Sequence, residues 1–325
     1  MKRIGNLYEK IYSLENLELA DKKARKNKRV RYGIIKFDRQ REKNLKDLSN
    51  SLKNRTYHTS KYDIFRMIVD SGKEREIYRL PYYPDRICHH AVMNVIEQIF
   101  VNSFTTDTYS CIKGRGIHGA FKKIKKTLIR NQADTTYCLK MDVRKFYPSI
   151  DHNILKTLIR KKIKDNDLLW LLDEIIDSAP GIPIGNYLSQ FFANIYLTYF
   201  DHWLKETKQV KYYYRYCDDL VILHADKIYL HRLRLDIDQY IRTELNLVIK
   251  DNWQVFPVEK RSIDFLGYRF YHTHILLRKS IKKRFAHKVA KMKTTNDSFL
   301  RTTQSAYWGW AKHANCKHLL KKLSI

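Results

Sequence analysis

The chain has 325 residues, with 63 Lys and Arg against 34 Asp and Glu, so its formal net charge is +29. This length suits roughly two domains, or one large domain with an appendage. A content of 44% hydrophobic residues is enough to fill a core, which excludes a mainly disordered protein. So basic a composition predicts a phosphate-rich partner, in the first place a nucleic acid.

The cysteines and the apolar segments indicate the cellular compartment of the protein. Five cysteines lie far apart and form no C-x-x-C pair, which argues against a zinc ribbon or finger. Their odd number, with no apolar segment after the first residues, predicts reduced thiols and a cytoplasmic location. No apolar run approaches the roughly 18 residues of a membrane helix, so we expect no membrane partner.

Hydrophobic periodicity predicts a mixture of helices and strands in the first half of the chain. Leucines and isoleucines at helical spacing indicate a helix within 1–31 and another over 44–56. Alternation around Ser71-Gly72 predicts a β-hairpin with strands at 62–69 and 76–80. The next expected elements are a helix at 85–100, a basic helix within 112–130, a strand at 137–143, and helices at 151–163 and 168–176.

The second half continues this mixture and ends in a basic segment. Residues 181–185 form a predicted loop, and Asn186 is the expected N-cap of an apolar helix over 187–204. A strand, a tight turn at Asp218-Asp219 and a second strand follow. Further expected elements are a helix at 230–245, strands at 247–250 and 263–270, and a helical basic module beginning near residue 276.

Carboxylates beside apolar strands are unexpected in so basic a chain. Asp142 follows the apolar run 137–139, and Asp218-Asp219 lie at the tip of the predicted hairpin. Neighbouring carboxylates repel, and buried ones are costly unless a cation neutralises them. Three such groups on adjacent strands could hold two Mg²⁺ about 4 Å apart, as polymerases and nucleases do. An Asp pair in an ordinary hairpin turn is the plainer interpretation, and these residues alone leave it open.

Several short motifs resemble those of reverse transcriptases. Tyr216-Cys217-Asp218-Asp219 resembles the Y-x-D-D hairpin of that family, and the stretch 140–151 resembles its first palm motif. Residues 181–197 resemble the next palm motif, residues 265–268 resemble the primer-grip strand, and residues 73–77 resemble the fingers motif. All of them occur in the family order over roughly residues 60–275.

The resemblance implies an α+β right-hand polymerase with an antiparallel palm sheet, fingers and a helical thumb. It implies an N-terminal basic helical region at 1–60, fingers and palm at 61–275, and a thumb at 276–325. The expected activity is RNA-directed DNA synthesis with two Mg²⁺ ions, or Mn²⁺ in their place. The expected partners are template RNA, the RNA–DNA hybrid and dNTPs, with the basic stretches 112–130 and 278–325 contacting the hybrid backbone.

The resemblance also implies the roles of individual residues. The expected catalytic and metal-binding residues are Asp142, Asp218 and Asp219, joined by the backbone carbonyl of Val143. The expected nucleotide-binding residues are Lys73, Arg75, Tyr147, Ile184, Gln190 and Lys250, and those of the primer grip are Phe265, Leu266 and Gly267. Each of four roles has a plainer alternative. Lys73 and Arg75 could be exposed charges of a hairpin, Tyr147 could be a ring packed in the core, and Lys250 could be an ordinary surface lysine.

One pair of residues points to a subtype. Group II intron and retron enzymes usually carry Gln and Pro where this chain has Ile184 and Gln190, and the pair resembles reverse transcriptases of diversity-generating retroelements. That subtype implies error-prone copying, a structured noncoding RNA and a small accessory protein. The alternatives are an antiviral defence reverse transcriptase with its own noncoding RNA, and an RNA-binding scaffold without activity.

Overall fold

The computed structural model describes residues 3–28, 31–69, 72–294 and 307–323. The chain forms two compact units, each made of separate stretches of sequence. Unit one comprises 1–112, 144–208 and 240–248, and unit two comprises 113–143, 209–239 and 249–325. The predicted boundaries at 60 and 275 for fingers, palm and thumb remain predictions.

Unit one is mainly helical. Its helices are α1 (Tyr8–Tyr12), α2 (Leu14–Ala24), α3 (Tyr32–Asp38), α4 (Arg41–Lys53), α5 (Ile87–Val101), α7 (His152–Arg160), α8 (Asn166–Asp177) and α9 (Ser189–His202). A two-stranded antiparallel sheet, β1 (Asp63–Val69) and β2 (Lys73–Arg79), confirms the predicted hairpin. Buried apolar side chains on α5 and α9, where the sequence is apolar on most sides, form much of the core.

Unit two contains a four-stranded antiparallel sheet in the order β4-β5-β3-β6. Its strands are β3 (Tyr137–Asp142), β4 (Tyr212–Tyr216), β5 (Asp219–His224) and β6 (Gln254–Pro257). A second antiparallel sheet holds β7 (Ile263–Phe265), β8 (Tyr268–Phe270) and β9 (Ile275–Leu277), and the helices of the unit are α6 (Gly116–Arg130), α11 (Lys279–Thr294) and α12 (Lys317–Leu323). Helix α10 (Lys227–Leu245) begins in unit two and ends in unit one. These elements confirm the α+β class.

Four local predictions were wrong. The single helix predicted within 1–31 is two helices, because the Ser13 side chain accepts a hydrogen bond from the Asn16 backbone and caps α2. Residues 247–250 form no regular strand and pair only through a bridge between Ile249 and Val143. Asn186 does not cap α9, since its carboxamide oxygen accepts from the backbone of Leu188, the residue immediately before the helix. The single strand predicted at 263–270 is a hairpin.

No helix within the described residues is long and apolar enough to cross a membrane.

Candidate active site

The pairing of β3 with β5 brings the predicted acidic residues together. Asp142, at the end of β3, lies directly across from Asp219, the first residue of β5. Directly opposed residues of an antiparallel pair have Cα atoms about 4.5–5.5 Å apart. Asp218 occupies the turn between β4 and β5, so all three carboxylates lie at one end of the sheet.

The turn that carries Asp218 is tight. Cys217 adopts a positive φ of 55°, and a guanidinium nitrogen of Arg215 donates to the Cys217 carbonyl at 3.1 Å. The Arg215 side chain is fully buried in β4. A buried charge is tolerated only when it is hydrogen-bonded, so this contact ties the turn to the core of unit two.

The local electrostatics favour the entry of a cation. Burial raises the pKa of Asp218 to about 7, and the charge of Asp142 adds to the rise. Burial also raises the pKa of Asp219, against the opposing effect of the Lys140 ammonium. When burial and a nearby like charge disfavour the ionised form of a carboxyl group, a bound cation stabilises that form strongly.

Two lysines already supply positive charge. The Lys250 ammonium donates to Asp142 Oδ1 at 2.5 Å, and the Lys250 backbone donates to the Asp142 carbonyl at 2.9 Å. The Lys140 ammonium lies 3.1 and 3.3 Å from the two carboxylate oxygens of Asp219. Within the described part of the chain, no three acidic, His or Cys side chains are arranged as a ready metal-ligand group.

The donor set nevertheless fits Mg²⁺. All three side chains offer hard carboxylate oxygens, which this ion prefers, and Mg²⁺ needs only one or two of them because water and substrate phosphates complete its shell. Burial, and then the neighbouring charge of Asp142, raise the pKa of Asp218, and a divalent ion would stabilise the carboxylate that both disfavour. Asp142, Asp218 and Asp219 would therefore hold the ions.

The predicted primer-grip residues lie at the end of β7 and in the turn between β7 and β8. Leu266 and Gly267 have positive φ values of 55° and 81°. A Cβ at Gly267 would lie 2.6 Å from the Trp310 ring and 2.7 Å from Ile281, so the backbone there approaches its neighbours closely. Lys140 links this hairpin to the acidic residues, because its ammonium also donates to the Asp264 carbonyl and lies 5.8 Å from the Phe265 ring centroid.

A cavity of about 440 Å³ adjoins this site in unit two. Asp142 and Lys140 line it, and the other charged residues on its walls are Arg261, Asp264, Arg269, Arg278 and Lys279. Asp264 is paired with Arg278, whose Nε donates to its carboxylate at 2.7 Å. The cavity therefore carries an excess of positive charge beside the acidic residues.

The predicted nucleotide-binding residues other than Lys250 belong to unit one. The loop 181–185 is held from two sides, because the Ile182 backbone donates to the Tyr147 carbonyl at 2.9 Å and the Tyr78 backbone of β2 donates to the Ile184 carbonyl at 2.8 Å. Tyr147 and Ile184 are thus joined to the strand that carries Arg75. Arg75 lies on β2 opposite Met67. For Lys73, the structure describes the backbone but not the side chain.

Gln190 lies apart from that loop contact, on the first turn of α9. Its carboxamide oxygen accepts from the Cys111 thiol at 2.7 Å. The side chain is exposed, so it remains accessible to a ligand.

Comparison with known proteins decides the family. The family model for reverse transcriptases (RNA-dependent DNA polymerases) matches residues 60–270, which is more than half of the chain. The chain belongs to the reverse transcriptase family.

Relatives of this reverse transcriptase include intron-encoded proteins. It is 26% identical over 178 residues to the group II intron-encoded protein LtrA of Lactococcus lactis, a match that covers 51% of this chain and 29% of LtrA. It is 23% identical over 243 residues to protein YkfC of Escherichia coli K12, covering 61% of this chain and 64% of YkfC. The chain thus spans less than a third of LtrA.

Solved telomerase structures share the right-hand polymerase fold. The telomerase of Candida albicans, in complex with a fragment of telomeric RNA, matches with a TM-score of 0.53 and 12% identity, covering 73% of this chain and 51% of that one. The telomerase of Candida tropicalis gives a TM-score of 0.52 and 12% identity over 85% of this chain and 58% of that one. The predicted fold class is confirmed.

Two residues of this candidate site were not predicted from the sequence. Lys140 lies two positions before Asp142, and residues two apart on a strand share a face, so strand periodicity would have placed it on the same face of β3 as Asp142. Arg215 has no such signal beyond being a charge within a run of tyrosines.

Proposed function

We propose that this chain catalyses RNA-directed DNA synthesis, with Asp142, Asp218 and Asp219 as its catalytic carboxylates. The observation that carries the proposal is the pairing of Asp142 with Asp219 across β3 and β5, with Asp218 in the adjoining turn. Membership of the reverse transcriptase family supports it. The substrates would be dNTPs, and the template an RNA.

The metal-binding residues would be the three aspartates and the backbone carbonyl of Val143. Two bound Mg²⁺, or Mn²⁺ in their place, would lower the pKa of the attacking 3′-hydroxyl and stabilise charge on the leaving pyrophosphate. Lys250 would act beside them: its ammonium, now on Asp142, is a candidate donor of a proton to the departing pyrophosphate. Phe265, Leu266 and Gly267 would steady the primer.

The remaining predicted residues would position the nucleotide. Lys73 and Arg75 on the β1–β2 hairpin would contact the triphosphate, since phosphoryl transfer depends on positioned positive charge. Tyr147 would crowd a ribose 2′-hydroxyl and so favour deoxynucleotides. Support comes from unit one, where backbone hydrogen bonds join Tyr147, the loop of Ile184 and β2.

Primer extension on an RNA template tests the proposal. The double variant Asp218→Ala, Asp219→Ala is expected to lose DNA synthesis by at least about a thousandfold, because both metal-binding side chains are gone. The matched control is Asp134→Asn, which removes a surface carboxylate paired with Lys211 and Tyr212. Cellular function that survives in the double variant would instead support the RNA-binding scaffold.

At a finer level, we propose a diversity-generating retroelement enzyme that copies with errors. Ile184 supports this, because an aliphatic side chain cannot make the hydrogen bond that an amide would offer the nucleotide or template, and a site with fewer fixed polar groups discriminates less. Ile184→Gln should lower the error rate in sequenced cDNA, most clearly at template adenines. Unchanged error rates would contradict the role of Ile184.

The RNA that copurifies with the chain tests the subtype. A retroelement enzyme should carry a structured noncoding RNA with a template resembling part of a neighbouring gene, together with a small accessory protein. A short repetitive template, or none, would support the antiviral defence alternative.

A further inference from the structure

We propose that a cavity in unit one binds an unpaired nucleotide of a single nucleic-acid strand. The cavity has a volume of about 630 Å³ and lies between α3, the start of α4 and the segment Pro81–Tyr83. Pockets of about 300–1,000 Å³ commonly hold small ligands, so one nucleotide fits. This inference goes beyond the proposed polymerase function, because none of the cavity residues belongs to the proposed catalytic or nucleotide-binding set.

Aromatic rings form the floor and walls of the cavity. Phe37 lies at the floor and is only 2% exposed. The half-buried rings of Tyr82 and Tyr83 each lie 5.5 Å from the Phe37 ring, measured between centroids. Tyr32 stands at the rim with 79% of its surface exposed. A base could stack on an exposed ring without sequence preference, as in many single-strand binding proteins.

The walls are held in place before any ligand arrives. The Tyr82 hydroxyl donates to the Asp21 carboxylate, which also accepts from Arg25 and Arg41. Asp21 is 1% exposed, so this network anchors the Tyr82 ring from the core. A Cβ at Gly33 would lie 3.2 Å from the Tyr82 Cβ, so α3 packs closely against the same ring. A stacking surface that is already ordered loses little conformational entropy on binding.

The charge at the cavity suits a phosphate. Lys36 and Arg39 line it and are exposed, and no acidic residue is among the described residues that form its walls. Neither cation is paired with a carboxylate within the described ranges. Exposed lysines and arginines beside aromatic rings are the typical combination for the backbone and bases of a single strand.

Two amides provide polar contacts for a base or ribose. Asn44 donates to the Phe37 carbonyl at 3.1 Å through its amide nitrogen, which leaves the side-chain oxygen as an acceptor. Gln40 lines the cavity with an exposed side chain that does not cap α4. Aromatic faces, cations and amides together match a nucleotide better than an acidic peptide, which would leave the rings unused.

The experiment measures oligonucleotide affinity by fluorescence anisotropy, with RNA and DNA strands of the same unstructured sequence. Excess unlabelled preannealed RNA–DNA hybrid is present to fill the polymerase site. The test variant is Tyr32→Ala with Lys36→Gln. The control is Ile35→Ala with Lys46→Gln, which also removes one large exposed side chain and one ammonium but lies outside the cavity.

The test variant should bind a single strand about tenfold more weakly than the control, because it loses a stacking ring and a cation that would face a phosphate. A loss confined to RNA identifies RNA as the strand, and an equal loss on DNA means that either strand is bound. Affinity equal to that of the control for both strands would overturn the proposal. Extension of a preannealed primer, measured in the same variants, tests the polymerase separately, since cavity residues should leave it unchanged.

Discussion

At the scale of single residues, the proposed active site depends on how its carboxylates are held in position. Lys140 contacts both oxygens of Asp219 and the carbonyl of Asp264, so it links the acidic strand end to the β7–β8 hairpin. We therefore regard Lys140 as a positioning residue for Asp219.

Lys140→Met should lower kcat about tenfold or more, because a hydrogen bond between charged groups contributes about 1.5–3 kcal/mol. KM for dNTP should change by less than about twofold, since the lysine orients a carboxylate and does not bind the nucleotide. Lys140→Arg should recover part of the loss. Steady-state primer extension over a range of Mg²⁺ concentrations gives these values.

The control for this prediction is Lys227→Met, which removes an exposed ammonium at the start of α10. A rise in KM with unchanged kcat would show that Lys140 binds substrate, and wild-type kinetics would show that it has no role.

Individual residues also show which features of the candidate site could be predicted from the sequence and which could not. Asp142, Asp218 and Asp219 were identified because their motifs are short and local, and the structure places them together. The contact between Lys140 and Asp219 joins residues 79 positions apart, so it depends on the register of β3 against β5. Strand periodicity gives the face of a residue, but the partner across the sheet is a tertiary property.

At the scale of elements, the β7–β8 hairpin shows the limit of pattern-based prediction. The apolar run 263–270 predicts one strand, but Leu266 and Gly267 both adopt positive φ and reverse the chain. Gly is expected at such a turn, whereas Leu is not, because its Cβ disfavours that region. Packing of Gly267 against Trp310 and Ile281 is the long-range feature that the sequence pattern could not show.

Substitutions at two glycines separate backbone strain from packing. Gly267 and Gly114 share a φ of 81°, but a Cβ at Gly114 meets nothing within 4 Å. Gly114→Ala should cost about 1 kcal/mol from backbone strain alone. Gly267→Ala should cost a further 1–3 kcal/mol or so, because the added methyl group collides with Trp310 and Ile281.

Urea unfolding of the two glycine variants beside the wild type measures both costs. Equal losses of stability at the two positions would show that the hairpin adjusts to the methyl group and that close packing at Gly267 is unimportant.

At the scale of the whole molecule, a net charge of +29 predicts that binding of the proposed nucleic-acid partner depends strongly on salt. Cations that neutralise phosphates release counterions, so the affinity for an RNA–DNA hybrid should fall steeply with salt. With six to ten phosphate contacts, the loss would be about 10³–10⁵-fold between 50 and 200 mM salt. A titration at several salt concentrations yields the slope of log affinity against log salt.

The slope of log affinity against log salt can also show which lysines contact the nucleic acid, when it is measured in variants. Lys282 and Lys283 lie exposed on α11, within the basic segment expected to contact the hybrid. Lys282→Gln with Lys283→Gln should reduce the magnitude of the slope by about two, one for each phosphate that is no longer neutralised. The control, Lys43→Gln with Lys46→Gln on α4, removes the same charge and should leave the slope unchanged. If both pairs weaken binding equally, the charge acts through its sum over the surface, and α11 makes no direct contact.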